Sequence, residues 1–392
     1  MQSETNLPVP TEAEQQLSDA LVAAIHAEIA AAGGMIPFSR YMEMCLYTPG
    51  LGYYSAGQRK FGSGGDFVTA PEVSPLFGRC IARSCAAVLE ATGGGSVLEF
   101  GAGSGRLAAD LLGELATMDC LPDQYFILER SAELRQRQQQ TLQQELPGPA
   151  DRVSWLDALP EPGFRGVVLA NEVLDAMACE RWRWNGEQVE QFYVTGNGQT
   201  LAWQTGACTA DGLASTVERY VDEYGLAPGY VSELNPSISP WVQGISGFLD
   251  NGLVLLIDYG YPRREYLHPQ RSSGTLQCHY RQRAHDDVFF YPGLQDITAH
   301  VDFTAVAEAA TGADLQVAGY TSQAYFLLDC GLDTLLQSAG PTAGMDYLQQ
   351  AQQAKTLVLP GEMGERFQGI GLVHGLDTEI PGFRMHDMRG RL

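Results

Sequence analysis

The sequence is short of positive charge, with 24 lysines and arginines against 47 aspartates and glutamates in 392 residues. The resulting net charge of -23 argues against a nucleic-acid ligand, because proteins bind phosphates with Lys and Arg. A basic peptide is the partner that such a charge favours. The excess of acid also has a simpler interpretation, which is that it only confers solubility.

Paired cysteines are missing as well. The eight cysteines are scattered, and no two of them form a Cys-X-X-Cys pair. This spacing argues against a disulfide framework and against a zinc site, and is typical of thiols in a reducing compartment. Three histidines lie among acids at 279, 285 and 300, but their spacing does not match a compact ligand pair, so no metal is predicted.

Long apolar runs are also lacking. None approaches the roughly 18 residues that cross a membrane. Residues 1–16 show neither a secretory nor a mitochondrial targeting pattern, so we expect a cytoplasmic protein without a membrane contact. The length exceeds the usual size of one core, which predicts two units or one enlarged domain.

A glycine turn is the most informative feature that is present. Residues 97–105 read Val-Leu-Glu-Phe-Gly-Ala-Gly-Ser-Gly, an apolar strand that ends in Glu99 and then alternates glycines. Without a Cβ, Gly101, Gly103 and Gly105 let backbone N–H groups approach a ligand, and a helical pattern follows them. The turn predicts a nucleoside-containing cofactor, while a plain tight turn is the alternative.

A second apolar strand strengthens the cofactor hypothesis. Tyr125–Leu128 ends at Glu129, which lies 24 residues after Gly105, close to the roughly 20 expected for a ribose-binding acid. An NAD oxidoreductase remains the weakest alternative, because Arg106 stands where its phosphate loop needs a small residue.

Strands alternate with helices over much of the chain, which predicts a parallel sheet covered on both faces. We expect helices at 11–32, 37–48, 74–91, 213–224, 303–311 and 334–356, and strands at 96–100, 125–129, 152–155, 166–171, 252–258, 315–320 and 367–373. The stretch from Arg181 to Trp203 alternates aromatic and polar residues, as antiparallel strands do. Glutamines at 136–144 and 349–353 are interpreted as solvated helix faces.

Polar side chains mark the carboxyl ends of the predicted strands, where open α/β sheets bind ligands. They are Glu99, Glu129, Asp157, Asn171 with Glu172, and Asp258. A lone acid at such a place is usually a helix cap, but several at one edge predict a site. Upstream, residues 61–74 combine glycines, Asp66, Thr69 and Glu72 in one loop, for which a capped turn with Pro71 at a helix start is the structural alternative.

Together these segments resemble the MidA-like S-adenosylmethionine-dependent methyltransferases, a family that includes a mitochondrial protein-arginine methyltransferase needed for respiratory complex I assembly. The resemblance runs from about residue 20 to about 373. It rests on GDFVTAPEVS at 65–74, LEFGAGSGRLAADLL at 98–112, NEVLDA at 171–176, SELNP at 232–236, IDYGYP at 257–262, and on the GTLQCHYRQRAHDD and PGLQDITAHVDF segments.

The resemblance implies an α/β fold, with a seven-stranded Rossmann-like class I methyltransferase sheet, an N-terminal helical extension and insertions. Residues 1–90 would form the extension that covers the cofactor site. Residues 91–392 would form the core, with insertions at about 180–245, 263–300 and 322–362. The last two strands would form an antiparallel pair at one edge.

The resemblance also implies the cofactor, S-adenosylmethionine, and its contacts. Gly101, Gly103 and Gly105 would lie under its methionine end, with Glu129 on the ribose and Asp157 near the adenine amino group. The further cofactor residues are Asp66, Thr69, Glu72, Glu99 and Asn171. One departure concerns residues 177–179, where the family usually has a Leu-Pro pair after NE..DA and this chain has Met-Ala-Cys.

The implied activity is methylation of a protein substrate with an accessible arginine. A guanidinium arrives protonated, so carboxylates are its natural clamp. Glu172 is the first candidate, with Asp175 and Asp258 as further catalytic acids; a helix-start acid is the alternative for Glu172. Methylation of a small molecule and a non-catalytic assembly factor that has kept the fold are the other functions considered. An exposed aromatic strand of the insert is a candidate homodimer surface.

Overall fold

The computed structural model describes residues 7–55, 69–146, 148–198, 200–338 and 345–392. The chain divides into two compact units, and each unit is assembled from three stretches of sequence. The first unit comprises Met1–Phe67, Asp175–Ser237 and Arg264–His300, and the second comprises Val68–Leu174, Ile238–Arg263 and Val301–Leu392.

In the described residues, helices lie within one residue of the bounds predicted at 11–32, 37–48, 74–91, 213–224 and 303–311, and they also form at four places that were not predicted, 70–73, 238–246, 263–266 and 323–329. The helices are α1 (Glu12–Ala31), α2 (Phe38–Tyr47), α3 (Ala70–Val73), α4 (Pro75–Ala91), α5 (Arg106–Thr117), α6 (Ala132–Glu145), α7 (Leu213–Tyr224), α8 (Ile238–Ser246), α9 (Arg263–Tyr266), α10 (Phe303–Gly312), α11 (Gln323–Asp329), α12 (Leu332–Ser338) and α13 (Met345–Val358). The single helix predicted at 334–356 corresponds to parts of α12 and α13, and residues 339–344 lie outside the described ranges.

Strands of the described residues lie within a few residues of the seven predicted ranges and over the alternating stretch from Arg181 to Trp203, and they also form at 35–37, 231–234, 277–280, 283–285, 296–298 and 301–302, which were not predicted. The strands are β1 (Met35–Pro37), β2 (Ser96–Phe100), β3 (Tyr125–Leu128), β4 (Val153–Leu156), β5 (Phe164–Asn171), β6 (Glu180–Trp184), β7 (Val189–Gly196), β8 (Leu201–Ala207), β9 (Val231–Leu234), β10 (Leu249–Tyr261), β11 (Gln277–Tyr280), β12 (Arg283–His285), β13 (Asp296–Thr298), β14 (Val301–Asp302), β15 (Gln316–Ser322) and β16 (Phe367–His374).

The second unit contains the large sheet, in the order β15-β16-β10-β5-β2-β3-β4. Neighbours from β10 to β4 pair in parallel, whereas β16 is antiparallel to both β10 and β15. In the part of the chain that the structure describes, the sheet has eight strands rather than the seven expected, because the two-residue strand β14 pairs with the end of β10. The result is a mixed α/β fold with a mostly parallel sheet.

The parallel order follows from the sequence of the central strands. In β5 the run Val167–Ala170 is buried without the alternation of a one-sided sheet, as is Leu253–Ile257 in β10. Strands buried on both faces read as continuous apolar runs. Helix α4, which spans the predicted boundary at residue 90, packs against α5 in this unit because its buried face shares one apolar cluster with the sheet.

The first unit has its own core. Strands β1, β7, β6 and β9 form an antiparallel sheet in that order, with β8 paired to β7, and β12-β11-β13 form a second sheet. Helix α1 begins at a capping box, in which Thr11 and Glu14 bond each other's backbone. Its buried face joins α2 in the apolar cluster of this unit.

The strand proposed as a dimer surface does not offer an exposed aromatic ring at Trp203. That ring packs against Phe38 at 5.0 Å, Phe289 at 5.2 Å and Phe192 at 5.5 Å between ring centres. Alternation brings the ring to the inner face of β8, where the core of the first unit covers it. A homodimer stays a prediction without this surface.

All eight cysteines are free thiols, and six of them are buried. In the described ranges, no helix combines the length and the apolar character that crossing a bilayer requires.

Candidate active site

The carboxyl ends of β2, β3, β4, β5 and β10 meet at one edge of the large sheet, since these strands are parallel neighbours. Glu99 lies in β2, Glu129 and Asp157 directly follow β3 and β4, and Asn171 ends β5. The predicted gathering of polar residues is therefore confirmed for these strands. Asp258 lies inside β10 and not after it, because pairing with β14 extends that strand to Tyr261.

The glycine turn has the backbone that the sequence requires of it. Gly101, Gly103 and Gly105 have φ values of 63°, 52° and 84°, in the left-handed region that side chains disfavour. A Cβ on Gly105 would lie 3.0 Å from the Cα of Gln138, and one on Gly101 would lie 3.3 Å from Cγ2 of Val173. The turn thus presents backbone: conformation favours glycine at all three positions, and lack of space does so at Gly101 and Gly105.

Glu99 is buried beneath this turn. The hydroxyl of Tyr125 donates a hydrogen bond of 2.7 Å to Glu99 Oε2. Burial raises the pKa of Glu99 to about 7, against the lowering effect of the Tyr125 hydrogen bond. The carboxyl therefore changes charge near neutral pH, and a cationic group placed beside it would favour the carboxylate.

Glu129 accepts hydrogen bonds on both of its carboxylate oxygens. The backbone N–H of Ser131 donates to Oε1 at 2.9 Å, and the amide of Gln138 donates to Oε2 at 3.2 Å. Burial raises the pKa of Glu129, and both hydrogen bonds oppose that shift. The backbone of Arg130 is a further donor to this carboxylate. Because a carboxylate offers about four acceptor sites, it can still accept bonds from a diol such as ribose.

Gln138 is the residue that sequence reasoning missed, and its interpretation as part of a solvated helix face is wrong. Its side chain is fully buried, donates to the carbonyl of Gly103 at 3.1 Å and accepts from the indole of Trp155 at 2.8 Å. Several glutamines of this helix are exposed, and Gln138 differs from them in its hydrogen bonds to Gly103, Glu129 and Trp155. Helical spacing from Leu134 and Leu142 was the available signal.

Asp157 is predicted to lie near an adenine amino group. Its side chain is 89% exposed, and Arg135 donates to its Oδ1 at 2.6 Å. The same guanidinium donates to the carbonyls of Glu129 and Leu156. Arg135 thus ties together the ends of β3 and β4, and leaves Asp157 facing solvent.

The loop before α4 is described only from Thr69 onward, so Asp66 lies outside the described residues. Thr69 directly precedes α3, and the hydroxyl of Ser104 in the glycine turn donates to Glu72 of that helix. Ser74 caps α4 by accepting a bond of 3.3 Å from Leu76 N–H, as the structural alternative predicts. Glu72 nonetheless connects this segment to the turn.

Glu172 follows β5 in an unusual conformation. Its φ of 53° lies in the left-handed region, where a non-glycine residue is strained. Its Oε1 accepts from the amide of Asn171 at 3.1 Å and from Ala70 N–H at 3.4 Å. No helix begins here in the described chain, so the interpretation of Glu172 as a helix-start acid is wrong.

Asp258 faces the same segment from the neighbouring strand. It is buried, and its Oδ2 accepts a 3.0 Å bond from Leu174 N–H, while Oδ1 accepts from Tyr259 N–H at 2.8 Å. The bond from Leu174 N–H fixes the backbone that follows Glu172.

Asp175 belongs to the first unit and is 6% exposed. Its carbonyl accepts from Ala299 N–H at 3.1 Å. In that unit the hydroxyl of Tyr54 donates to Asp296 at 3.0 Å. The pKa of Tyr54 is raised first by burial and then by the charges of Asp296 and Asp175. Tyr47 stacks on Tyr54 at 5.5 Å. Asp175 thus lies near enough to Tyr54 for its charge to raise the pKa of that hydroxyl.

The histidine-rich stretch gives no sign of a metal centre: in the described ranges, no three His, Cys, Asp or Glu residues gather as metal ligands would. Burial lowers the pKa of both His279 and His285, which keeps these imidazoles neutral.

A family model described as "Putative S-adenosyl-L-methionine-dependent methyltransferase" matches residues 80–321. The chain belongs to this methyltransferase family. S-adenosylmethionine is its cofactor. The side-chain-free backbone at Gly101 and Gly103, near a carboxylate that can accept a diol, fits the methionine and ribose parts of that molecule.

This methyltransferase is similar over nearly its whole length to a Burkholderia thailandensis protein described as a "likely methyl transferase", whose crystal structure holds S-adenosyl-homocysteine. The two are 44% identical, with a TM-score of 0.94, and the match covers 99% of this chain and 100% of that one. Curated relatives are more distant. The mitochondrial protein arginine methyltransferase NDUFAF7 of Danio rerio is 27% identical over 88% of this chain and 84% of its own length. The Homo sapiens protein of that name is 26% identical over 87% and 80%.

Proposed function

We propose that this methyltransferase modifies arginine side chains of a protein substrate. The observation that carries the proposal is the strained backbone of Glu172, with a φ of 53°. Its neighbour Val173 lies against the glycine turn. Strain of this kind persists where the surrounding structure holds a residue for its function. The names of the relatives, which are protein arginine methyltransferases, and the net charge of -23 support the same substrate class.

The chemistry follows from the charge of the substrate. When bound, S-adenosylmethionine supplies a methyl group on a positively charged sulfur. Glu172 accepts hydrogen bonds from the protonated guanidinium, holds it planar and takes the proton that the methylated nitrogen loses. Asp258 keeps the backbone after Glu172 in place through Leu174 N–H. Asp175, which belongs to the first unit, stays a prediction as a further catalytic acid.

The direct test supplies tritiated S-adenosylmethionine and a protein extract to the purified chain. Amino-acid analysis should then find the label in methylarginine. Label in molecules that pass a dialysis membrane would replace the proposal with a small-molecule methyltransferase. No label anywhere, with S-adenosylhomocysteine still bound in calorimetry, would leave the non-catalytic assembly factor.

Glu172→Gln tests the residue assignment. The amide keeps the size of the side chain but neither clamps a cation nor takes a proton, so methyl transfer should fall by about a hundredfold or more. Affinity for S-adenosylhomocysteine should stay within about twofold, because the glycine turn and Glu129 are unchanged. Glu161→Gln, at an exposed position before β5, is the matched control. Equal turnover in the two variants would refute the role of Glu172.

A further inference from the structure

Gln138 stands at the point where three parts of the cofactor site converge. Its amide nitrogen donates both to the Gly103 carbonyl and to Glu129 Oε2, and its amide oxygen accepts from the Trp155 indole. These partners belong to the glycine turn, to the segment after β3, and to β4. One fully buried side chain therefore links three neighbouring strand ends.

The placement of this side chain is fixed by packing as well as by hydrogen bonds. The Cα of Gln138 lies 3.0 Å from the position of a Cβ on Gly105, so α6 crosses closely over the turn. A buried amide without partners would cost about 1–3 kcal/mol, and here both of its ends are bonded. Gln138 has no freedom to turn away from Glu129 without leaving its amide nitrogen or oxygen unpaired.

We propose that Gln138 is a positioning residue that sets the orientation of the Glu129 carboxylate toward the two ribose hydroxyls. Ser131 N–H holds one oxygen and Gln138 holds the other, and the backbone of Arg130 is a further donor, so the plane of the carboxylate is fixed through both of its oxygens. The acceptor capacity that these donors leave is thereby held in one orientation for a vicinal diol.

The bond to Gly103 gives this residue a second effect. Gly103 has a φ of 52°, and its carbonyl is anchored by the same amide that orients Glu129. The glycine turn and the ribose-binding acid are thereby set in one geometry and not independently. Loss of the amide should disturb the ribose contact first, because only there does a charged acceptor lose its donor.

The test compares two ligands, S-adenosylhomocysteine and its 2′-deoxy analogue, by calorimetry with the full chain. Wild-type protein should bind the parent ligand about tenfold more tightly, since the missing hydroxyl leaves a carboxylate lone pair unused. Gln138→Glu keeps an acceptor for Trp155 but has no donor for Glu129. This variant should reduce the preference to about twofold or less.

Two further variants keep the result decisive. Gln139→Leu, at an exposed position on the same helix, should keep the full preference. Gln138→Met fills the space without any donor, so it should lose the preference as Gln138→Glu does, even if the negative charge of Glu unfolds that variant. A loss of affinity that is equal for both ligands would show that Gln138 only supports the fold, and would overturn the proposal. The result is independent of the methylated substrate.

Discussion

At the scale of single residues, Glu99 links the site to pH. Its folded-state pKa of about 7 exceeds the ordinary value of 4.5, so the folded protein holds a proton that the unfolded chain releases between these values. The free energy of unfolding therefore falls as pH rises through this window. Glu99→Gln removes this titration but keeps an acceptor for the Tyr125 hydroxyl.

The stability of Glu99→Gln relative to wild type should consequently rise by about 2 to 3 kcal/mol between pH 5 and pH 8. Urea unfolding of the cofactor-free proteins at several pH values measures it. Glu133→Gln, on the exposed face of α6, should follow the wild-type curve. Parallel curves for Glu99→Gln and wild type would mean that Glu99 is ionised throughout.

Residues of the site differ in how far the sequence could predict them. Glu99 and Glu129 stand at fixed distances from the glycines, and the structure places both at the predicted edge. Gln138 could not be found in this way, since its partners come from three segments far apart in sequence. The strain at Glu172 could not be predicted either, because the sequence does not show which residues other than glycine adopt a positive φ.

At the scale of elements, the packing of α6 over the glycine turn makes a prediction about Gly105. Gly105→Ala places a Cβ 3.0 Å from Gln138 at a φ of 84°. Gly93→Ala, in the same unit, has a similar φ of 68° but no atom within 4 Å, so it isolates the cost of the conformation.

Both substitutions should lower the free energy of unfolding by about 1 kcal/mol through strain, and Gly105→Ala by about 1 to 3 kcal/mol more through the contact with α6. Denaturant titration measures these costs. Only Gly105→Ala should also weaken binding of S-adenosylhomocysteine in calorimetry. If the two variants behave alike, α6 yields to the added methyl group and does not shape the turn.

Element boundaries were predictable where the pattern is local. Helix α7 and strand β2 have the predicted bounds, because amphipathic spacing and a glycine boundary define them. Strand β10 extends beyond its predicted end, and β14 was not predicted, because these two stabilise each other across 41 residues of sequence. The periodicity of apolar residues predicts local elements, and it does not predict which distant segments pair.

At the scale of the whole molecule, the net charge of -23 should govern encounter with a basic substrate. Raising the salt concentration from low values to about 0.3 M shortens the screening length to several ångströms, so KM for an arginine-rich peptide should increase severalfold. The dissociation constant of S-adenosylhomocysteine, which carries no net charge, should change far less. A KM that does not respond to salt would show that the acidic surface does not attract the substrate.

The cytoplasmic location stays a prediction, and the name "mitochondrial" belongs to the animal relatives.

The interleaving of the two units has a consequence for how the chain folds during synthesis. Each unit needs sequence from three separate stretches, and the first is not complete until residue 300 has been made. A ribosome therefore cannot release one finished unit before starting the next, as it does with domains strung in series. A chain that is cut short at its C-terminal end before residue 300 lacks residues of both units. Limited proteolysis or fragment expression should accordingly yield no autonomous half, and folding should be slow, as it is for chains whose contacts join distant residues.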